Sequence, residues 1–387
     1  MLSARRVVAA CPAPGPKGTT VRDDAELMAQ AADAGRVARR RTAPNPWVGC
    51  VVVQGGEVVG VGATEPPGGP HAEAVALREA GDRAAGATVF VTLEPCSHQG
   101  RTQPCVDALV DAGVARVVVA LGDPDERVAG RGIDRLRAAG VTVEVGLGAD
   151  LATRDLAPYL HHRRTGRAFT VLKTAASIDG RTAAADATSR WITGATARAD
   201  GHGLRADAQA VVVGAGTALA DHPTLTARDC DPPPVHQPLR VLLDARGRVP
   251  AVGPLFDVSL APTLVVTTAA APATAGDAWR AAGAKVEVVA PARGPAGGVD
   301  LAETLALLGR EGVLGAVVEG GATVHGALVR ERLADRIVHY VGGTVLGPDG
   351  LAAFGEPGPA TLVDATRWRL VDVAALDGDA RLVWEPA

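Results

Sequence analysis

Two short stretches of this 387-residue chain hold residue types that could do metal chemistry. The first is His71-Ala72-Glu73. The second is Pro95-Cys96-Ser97-His98-Gln99-Gly100-Arg101-Thr102-Gln103-Pro104-Cys105. One imidazole and two thiols can hold a zinc ion, and a tetrahedral ion with three protein ligands keeps its fourth position for water. A carboxylate that does not ligate could move that water's proton to a departing amine. His-x-Glu followed by Pro-Cys and a second Cys is the pattern of zinc-dependent deaminases. His71, Cys96 and Cys105 are therefore the expected ligands, and Glu73 the expected proton shuttle. Any one of them alone would more simply be a surface histidine or a small buried thiol. A structural zinc would want a fourth ligand, which His98 could supply, but Glu73 would then have no task.

Hydrophobic spacing predicts the elements that must position these groups. Residues 23–40 read as a helix, 48–53 and 58–61 as a β-hairpin across Gln54-Gly55-Gly56. Pro70 places His71 in the first turn of a helix over 71–80, ended by Gly81, so Glu73 points roughly 200° around from His71. A strand from Thr88, apolar over 88–93, leads to Cys96. Cys105 opens a helix over 105–112, whose N-terminus favours a thiolate. Strands at 116–121 and 142–145, with a helix at 133–139, complete an α/β layer with a mostly parallel sheet. One helix over 151–164 leads out to Gly166. Three segments are expected: a disordered leader at 1–22, a first domain at 23–165 and a second at 166–387.

The second half predicts strands at 169–174, 210–213, 239–243, 263–267, 286–289, 316–319, 338–341, 368–374 and 381–384. Helices are predicted at 195–205, 301–309 and 323–332, and loops at 232–234 and 269–276. Gly214-x-Gly216 falls short of Gly-x-Gly-x-x-Gly, so no Rossmann unit is read there. Glu319-Gly320-Gly321-Ala322-Thr323 sits between a buried strand and a helix. Its glycines allow close backbone approach and the helix N-terminus attracts phosphate. A tight turn capped by Thr323 would look the same. Lys173 and Asp179 follow a strand and are candidate orienting groups, or simply a charged surface turn.

Composition narrows the classes. Net charge is -4 and aromatics make up 3%, which opposes nucleic-acid binding. No apolar run is long enough for a membrane span. The five cysteines are an odd, scattered set, which fits reduced cytosolic thiols better than a secreted disulfide framework. The run near Arg5-Arg6 is too short for a secretion signal.

Nucleic-acid and free-nucleoside deaminases usually have two residues between their thiols, whereas Cys96 and Cys105 have eight. This insert, after His-Ala-Glu, resembles the Pro-Cys-(Ser/Asn)-His-x-Gly-x-Thr-x-Pro-Cys hallmark of the bifunctional riboflavin-biosynthesis deaminase/reductase family. Pro44-Asn45-Pro46-Trp47-Val48-Gly49 is similar to a second family motif. The resemblance implies a cytidine-deaminase-like α/β/α domain, then a dihydrofolate-reductase-like α/β domain spanning about residues 169–385. It implies one Zn²⁺ per chain and NADPH as cofactors. Asn45 would contact the pyrimidine, although a turn residue between prolines reads equally well. Ser189, Arg205, Leu225, Arg228 and Glu319 fall on substrate positions, the arginines suited to the ribose phosphate. Ala175, Trp191, Thr217, Asp221 and the loop of Gly321, Ala322, Thr323, Val324, His325, Gly326 and Ala327 fall on cofactor positions. Thr64, Ala245, Ala322 and His325 depart from the commoner family residues.

The expected activity is hydrolytic deamination of a diaminopyrimidinone ribosylamino phosphate, followed by NADPH-dependent reduction of its ribosyl to a ribityl chain. Expected partners are small phosphorylated pyrimidines, without nucleic acid or membrane, in a cytoplasmic homo-oligomer. Three rivals are a deaminase with an inactive reductase half, a nucleic-acid editing deaminase, and a non-catalytic zinc module.

Overall fold

The computed structural model describes residues 23–99, 103–293, 297–355 and 358–387, so the expected leader lies outside the described residues. The first helix, α1 (Asp24–Ala38), begins where the Asp23 carboxylate accepts the Glu26 N–H at 2.7 Å, satisfying a free first-turn donor. A hairpin follows, of β1 (Gly49–Gln54) and β2 (Glu57–Ala63). Then come α2 (Ala72–Ala80), β3 (Thr88–Val91), α3 (Cys105–Asp111), β4 (Arg116–Val119), α4 (Arg131–Ala138) and β5 (Thr142–Val145).

These strands form one sheet in the order β2-β1-β3-β4-β5. It is mixed rather than mostly parallel: β1 runs antiparallel to β2 and β3, while β3, β4 and β5 are parallel. The hairpin predicted from Gln54-Gly55-Gly56 forces that first reversal. Successive side chains on β1 serve opposite faces. Val51 and Val53 pack with Leu27, Met28 and Ala31 of α1, whereas Cys50 and Val52 pack with Ala72 and Ala76 of α2. The helices lie close to the strands. A Cβ on Gly49 would stand 1.7 Å from the Ala31 carbonyl oxygen, and Cβ atoms on Gly60 and Gly62 would stand 2.1 Å from those of Ala76 and Ala72. Missing side chains on β2 thus let α2, which follows His71, seat directly on the sheet.

The helix expected over 151–164 is two helices, α5 (Ala149–Asp155) and α6 (Ala157–Thr165). Pro158 has no N–H and starts the second helix instead of continuing the first.

The later strands build a nine-stranded sheet. The elements of this half are β6 (Phe169–Ser177), β7 (Arg181–Ala183), α7 (Ala195–Asp207), β8 (Ala210–Gly214), α8 (Ala215–Asp221), β9 (Leu239–Leu243) and β10 (Thr263–Thr267). These are followed by α9 (Ala273–Ala281), β11 (Lys285–Val288), α10 (Leu301–Arg310), β12 (Gly315–Val318), α11 (Ala322–Arg330) and β13 (Arg336–Gly342). β14 (Leu351–Ala352), β15 (Trp368–Leu376) and β16 (Asp379–Pro386) finish the chain. The order is β11-β10-β9-β8-β12-β6-β13-β16-β15, parallel through β13 and antiparallel beyond, while β7 and β14 pair separately. Helix α9 begins inside the segment predicted as a loop over 269–276. Its single large apolar residue, Trp279, is 1% exposed and donates its Nε1–H to the Val249 carbonyl at 2.9 Å. One tertiary anchor therefore decided a helix whose sequence lacks apolar periodicity.

The two sheets meet closely. Leu314, at the edge of β12, lies in the same core cluster as Tyr159 and Leu160 of α6. Arg40 Nε donates to the Asp207 carboxylate at 2.7 Å across the same junction. Among the described residues, no helix is long and apolar enough to cross a membrane.

Candidate functional site

His71 is the residue before α2, with extended backbone (φ -78°, ψ 167°), not the first-turn residue that Pro70 suggested. Its ring therefore stands at the head of the helix. Nδ1 lies 3.5 Å from Cys96 Sγ and 3.3 Å from Cys105 Sγ, and the three ligand atoms all lie within 4.8 Å of one another. Donors around a tetrahedral zinc, with Zn–N of about 2.0 Å and Zn–S of about 2.3 Å, stand about 3.5–3.8 Å apart, so this set fits the ion. Cys105 opens α3 as predicted, and its backbone N–H donates to Cys96 Sγ at 3.4 Å. Cys96 itself lies in a loop, because β3 ends at Val91.

The electrostatics match such a site. The hydrogen bond from Cys105, followed by His71, holds the Cys96 thiol down to about 4, and sharing that proton pushes Cys105 up. A cation would take the place of the shared proton. Glu73 is 3% exposed and outside the ligand set; burial raises its pKa, and the neighbouring Cys96 raises it further. His98 does not join the three ligand atoms.

Sequence reasoning missed Glu94. Its carboxylate is buried and accepts backbone N–H groups from Asp123 (3.2 Å), Gly130 (3.0 Å), Gly132 (2.9 Å) and Ile133 (3.3 Å). It ties the chain just before Cys96 to the first turn of α4, where free N–H groups favour an anion. A Cβ on Gly132 would stand 2.1 Å from the Pro95 carbonyl oxygen, so the two segments pack backbone to backbone. The readable signal was an acid ending an apolar strand, directly before Pro-Cys. Asn45 is half-buried in a turn, its N–H bonded to the Thr42 carbonyl at 2.8 Å. Thr64 accepts the Val48 N–H at 3.1 Å, so its hydroxyl holds the Pro-Asn-Pro-Trp-Val segment against β2. Gly100, Arg101 and Thr102 of the insert lie outside the described residues.

In the larger sheet, β8 and β12 are adjacent and parallel, and the helices after them begin at the same edge. β8 connects toward β9 on one side, while β12 connects toward β13 on the other, so a crevice opens at their carboxyl ends. Gly214 donates its N–H to the Gly320 carbonyl at 3.0 Å across it. Cβ atoms on Gly320 and Gly321 would approach Thr217 Oγ1 at 3.2 and 3.1 Å, so Thr217 faces the glycine turn. Gly321, not Thr323, precedes α11, and no side chain caps that helix. Its first N–H groups therefore have no side-chain acceptor.

Arg205 and Glu319, 114 positions apart, form a bidentate pair with Nη2–Oε2 at 2.7 Å. Burial opposes ionisation of Glu319, but Arg205, with Lys173 beyond it, holds the carboxyl down to about 2. Arg205 Nη1 also donates to the Thr226 carbonyl at 3.0 Å. Leu225 is buried at φ +55°, and Gln237 clamps the same loop through the Ala227 N–H (2.7 Å) and carbonyl (2.9 Å). Arg228 is exposed, with Nη1 3.2 Å from Thr224 Oγ1.

Trp191 is 68% exposed and stacked under the Arg198 guanidinium at 4.3 Å, with Ser189 half-buried two residues before it. Ala175 is half-buried on β6. Asp221 ends α8, exposed, its carbonyl accepting from Arg190 at 3.2 Å. His325 is 3% exposed with Nε2 3.2 Å from the Val318 carbonyl oxygen, and burial lowers its pKa. Its ring thus packs beneath the loop. Asp179 accepts from Ser177 Oγ (2.6 Å), Leu346 N (3.1 Å) and Gly347 N (2.7 Å), which hold it down to about 2. Lys173 Nζ lies 5.8 Å from the centre of the Tyr340 ring.

Comparison with known proteins covers both halves. The RibD C-terminal domain family matches residues 168–382, and the cytidine and deoxycytidylate deaminase zinc-binding region matches residues 21–121. The riboflavin biosynthesis protein RibD of Chlamydia pneumoniae is 42% identical over 362 residues, covering 93% of this chain and 94% of the relative. That of Escherichia coli K12 is 38% identical over 376 residues, covering 93% and 98%. Among solved structures, Acinetobacter baumannii RibD in form 1 superposes with a TM-score of 0.84 at 37% identity, covering 94% and 99%. A Thermotoga maritima diaminohydroxyphosphoribosylaminopyrimidine deaminase/5-amino-6-(5-phosphoribosylamino)uracil reductase superposes with a TM-score of 0.82 at 28% identity, covering 94% and 98%. Joined to the zinc-fitting triad of the first sheet and the glycine-lined crevice of the second, these matches establish that the chain belongs to the RibD family of riboflavin biosynthesis enzymes, with a zinc-binding deaminase domain and a reductase domain.

Proposed function

We propose that the two domains, divided near Gly166, act in turn on one phosphorylated pyrimidine. The first hydrolyses an amino group from a diaminopyrimidinone ribosylamino phosphate. The second reduces the ribosyl group of the resulting aminouracil to a ribityl chain with NADPH. The observation that carries the first step is a buried carboxylate, Glu73, beside three metal-type donors and outside their set.

His71, Cys96 and Cys105 would hold the zinc, which would supply a Lewis acid to lower a water's pKa toward neutrality. Glu73 would take a proton from the attacking water as its oxygen adds to the pyrimidine carbon. It then delivers the proton to the amino nitrogen, the C–N bond breaks, and ammonia leaves. Burial raises the Glu73 pKa, which favours its holding a proton between taking it up and giving it away. Asn45 stands in a turn adjoining this domain's first strand and would orient the ring.

NADPH supplies the hydride in the second step. The glycine turn at Gly320-Gly321 and the uncapped start of α11 suit its pyrophosphate, with Thr217 beside them. Gly321 through Ala327 would contact the cofactor mainly by backbone, because His325 is buried. Arg205 is paired with Glu319, while Arg228 is exposed, 3.8 Å from the surface carboxylate of Asp229, and would meet the substrate phosphate. Arg205 and Glu319 together would fix the loop carrying Leu225. Lys173, close enough to act on the Glu319 charge, is the better placed of the two candidate orienting groups. The protein is further expected to act as a cytoplasmic homo-oligomer.

A coupled assay tests the reading. Zinc-loaded protein given the diaminopyrimidine substrate should release ammonia and oxidise NADPH. Glu73→Ala should release no ammonia, and should oxidise NADPH only when the deaminated intermediate is supplied. Ammonia without NADPH oxidation would point to an inactive second domain, and silence in both would sink the substrate assignment.

A further inference from the structure

Between α8 and β9 the chain runs through residues 222–238 without a helix or strand, and Leu225 and Arg228 lie on this loop. Its base is held from within the reductase domain. Arg205 Nη1 donates to the Thr226 carbonyl at 3.0 Å, and Gln237 takes the Ala227 N–H at 2.7 Å and donates to its carbonyl at 2.9 Å. The stretch beyond that base begins at Arg228 and is mostly exposed. Among the described residues, 229–236 make one hydrogen bond to another segment: the Pro232 carbonyl accepts from Arg40 Nη1.

Arg40 belongs to the deaminase domain, two positions past the end of α1. The same guanidinium also donates from Nε to Asp207 Oδ1 at 2.7 Å. Asp207 is the last residue of α7, two positions after Arg205. One side chain of the first domain thus spans two acceptors of the second, the end of α7 and the middle of the loop. A guanidinium carries its donors in a rigid plane, so it fixes those two acceptors relative to each other.

The support under Arg40 is itself firm. Arg39 Nη1 lies 3.6 Å from Asp207 Oδ2, and its guanidinium stands 5.2 Å from the centre of the Trp47 ring. Trp47 is 2% exposed, in the Pro-Asn-Pro-Trp stretch ahead of β1. The contact between Arg40 and Pro232 therefore ties an exposed loop to the deaminase core. A loop with few ties samples many conformations, and binding must give that freedom up. Ordering it beforehand shows in substrate affinity and leaves the chemical step alone.

We infer that Arg40 is a positioning residue for the reductase reaction supplied by the deaminase domain: by holding Asp207 and Pro232 together, it presets the loop that carries Arg228 to a phosphorylated substrate. The inference rests on the substrate reading of that loop and extends it, because the second site then depends on a side chain of the first domain.

The test uses the full-length zinc-loaded chain and its Arg40→Ala, Arg40→Lys and Arg228→Ala variants, with circular dichroism to confirm folding. The deaminated intermediate is supplied at saturating NADPH. Arg40→Ala should raise the KM for the intermediate by about three- to tenfold, with kcat, the KM for NADPH and ammonia release near wild type. Arg40→Lys keeps the charge but cannot span both acceptors, and should fall in between. Arg228→Ala should raise the same KM at least as much. An Arg40→Ala variant with wild-type KM, beside an Arg228→Ala variant whose KM rises, overturns the inference and leaves the loop reading standing. An unchanged KM in Arg228→Ala overturns the loop reading itself, and the inference with it. A fall in kcat and ammonia release together in Arg40→Ala would mean general loosening of the domain junction and also overturns the inference.

Discussion

The candidate zinc centre and the crevice proposed for the dinucleotide are built in opposite ways. In the deaminase domain the chemistry sits in side chains: His71, Glu73, Cys96 and Cys105 fall within 35 positions, and their atoms meet around one point. In the reductase domain it sits in the backbone at the ends of β8 and β12, with side chains from distant elements closing around it. A metal selects donor atoms, so residue types reveal it. A dinucleotide selects N–H groups, space and a few charges, which many sequences can supply.

The sharpest way to break this contrast is at Glu73. Glu73→Ala should lower ammonia release by about 10²–10⁴-fold while zinc content by atomic emission stays at wild-type level. Zinc lost together with activity would make Glu73 part of the metal's support and erase its separate role.

Glu319→Gln should be the largest single change in the other domain. It leaves Arg205 buried without its counter-charge, a loss of about 3–5 kcal/mol by the usual cost of breaking such a pair. The sign with pH follows from the carboxyl's depressed pKa. The ion pair's contribution is present in full above the ordinary range near 4.5 and is lost as pH falls through about 2. Denaturant unfolding of the wild type between pH 6 and pH 2 should show that loss, and the variant should show less of it. Equal slopes would mean that other carboxylates dominate.

Glu94→Gln sharpens the comparison from inside the deaminase domain. It turns an amide NH₂ toward backbone donors that the carboxylate now accepts, at about 1–3 kcal/mol. Ammonia release should fall together with the melting temperature, and NADPH oxidation with supplied intermediate should hold. A variant with wild-type melting behaviour would show that the loop before Cys96 is held elsewhere.

The smallest effect is expected at Asp179. Its oxygens are occupied by Ser177, Leu346 and Gly347, so Asp179→Asn should change the KM of the reductase by about threefold or less and leave kcat near wild type. Loss of turnover with unchanged KM would return Asp179 to the catalytic candidates.

Particular residues show where legibility stopped. The strand before Cys96, the helix from Cys105 and the Gly166 stop were readable because apolar runs and caps are local signals. Helix α9 was not, since its one fully buried residue, Trp279, anchors it by reaching Val249. The single helix over 151–164 failed at Pro158, whose missing donor makes it a beginning. Both Arg205 and Glu319 were singled out, but as separate substrate positions. Their mutual pairing, which removes Arg205 from the free phosphate binders, depends on β12 lying beside β8.

The sequence by itself determined the metal chemistry and the division into two α/β units. Donor types, their order and hydrophobic period are properties of the chain taken a few residues at a time. Only the tertiary structure decided which strands became neighbours. It thereby set how Glu94 supports the cysteine loop and how Arg205 comes to face Glu319. Those are contacts between segments far apart in the chain, selected by packing and burial, and no local pattern encodes them.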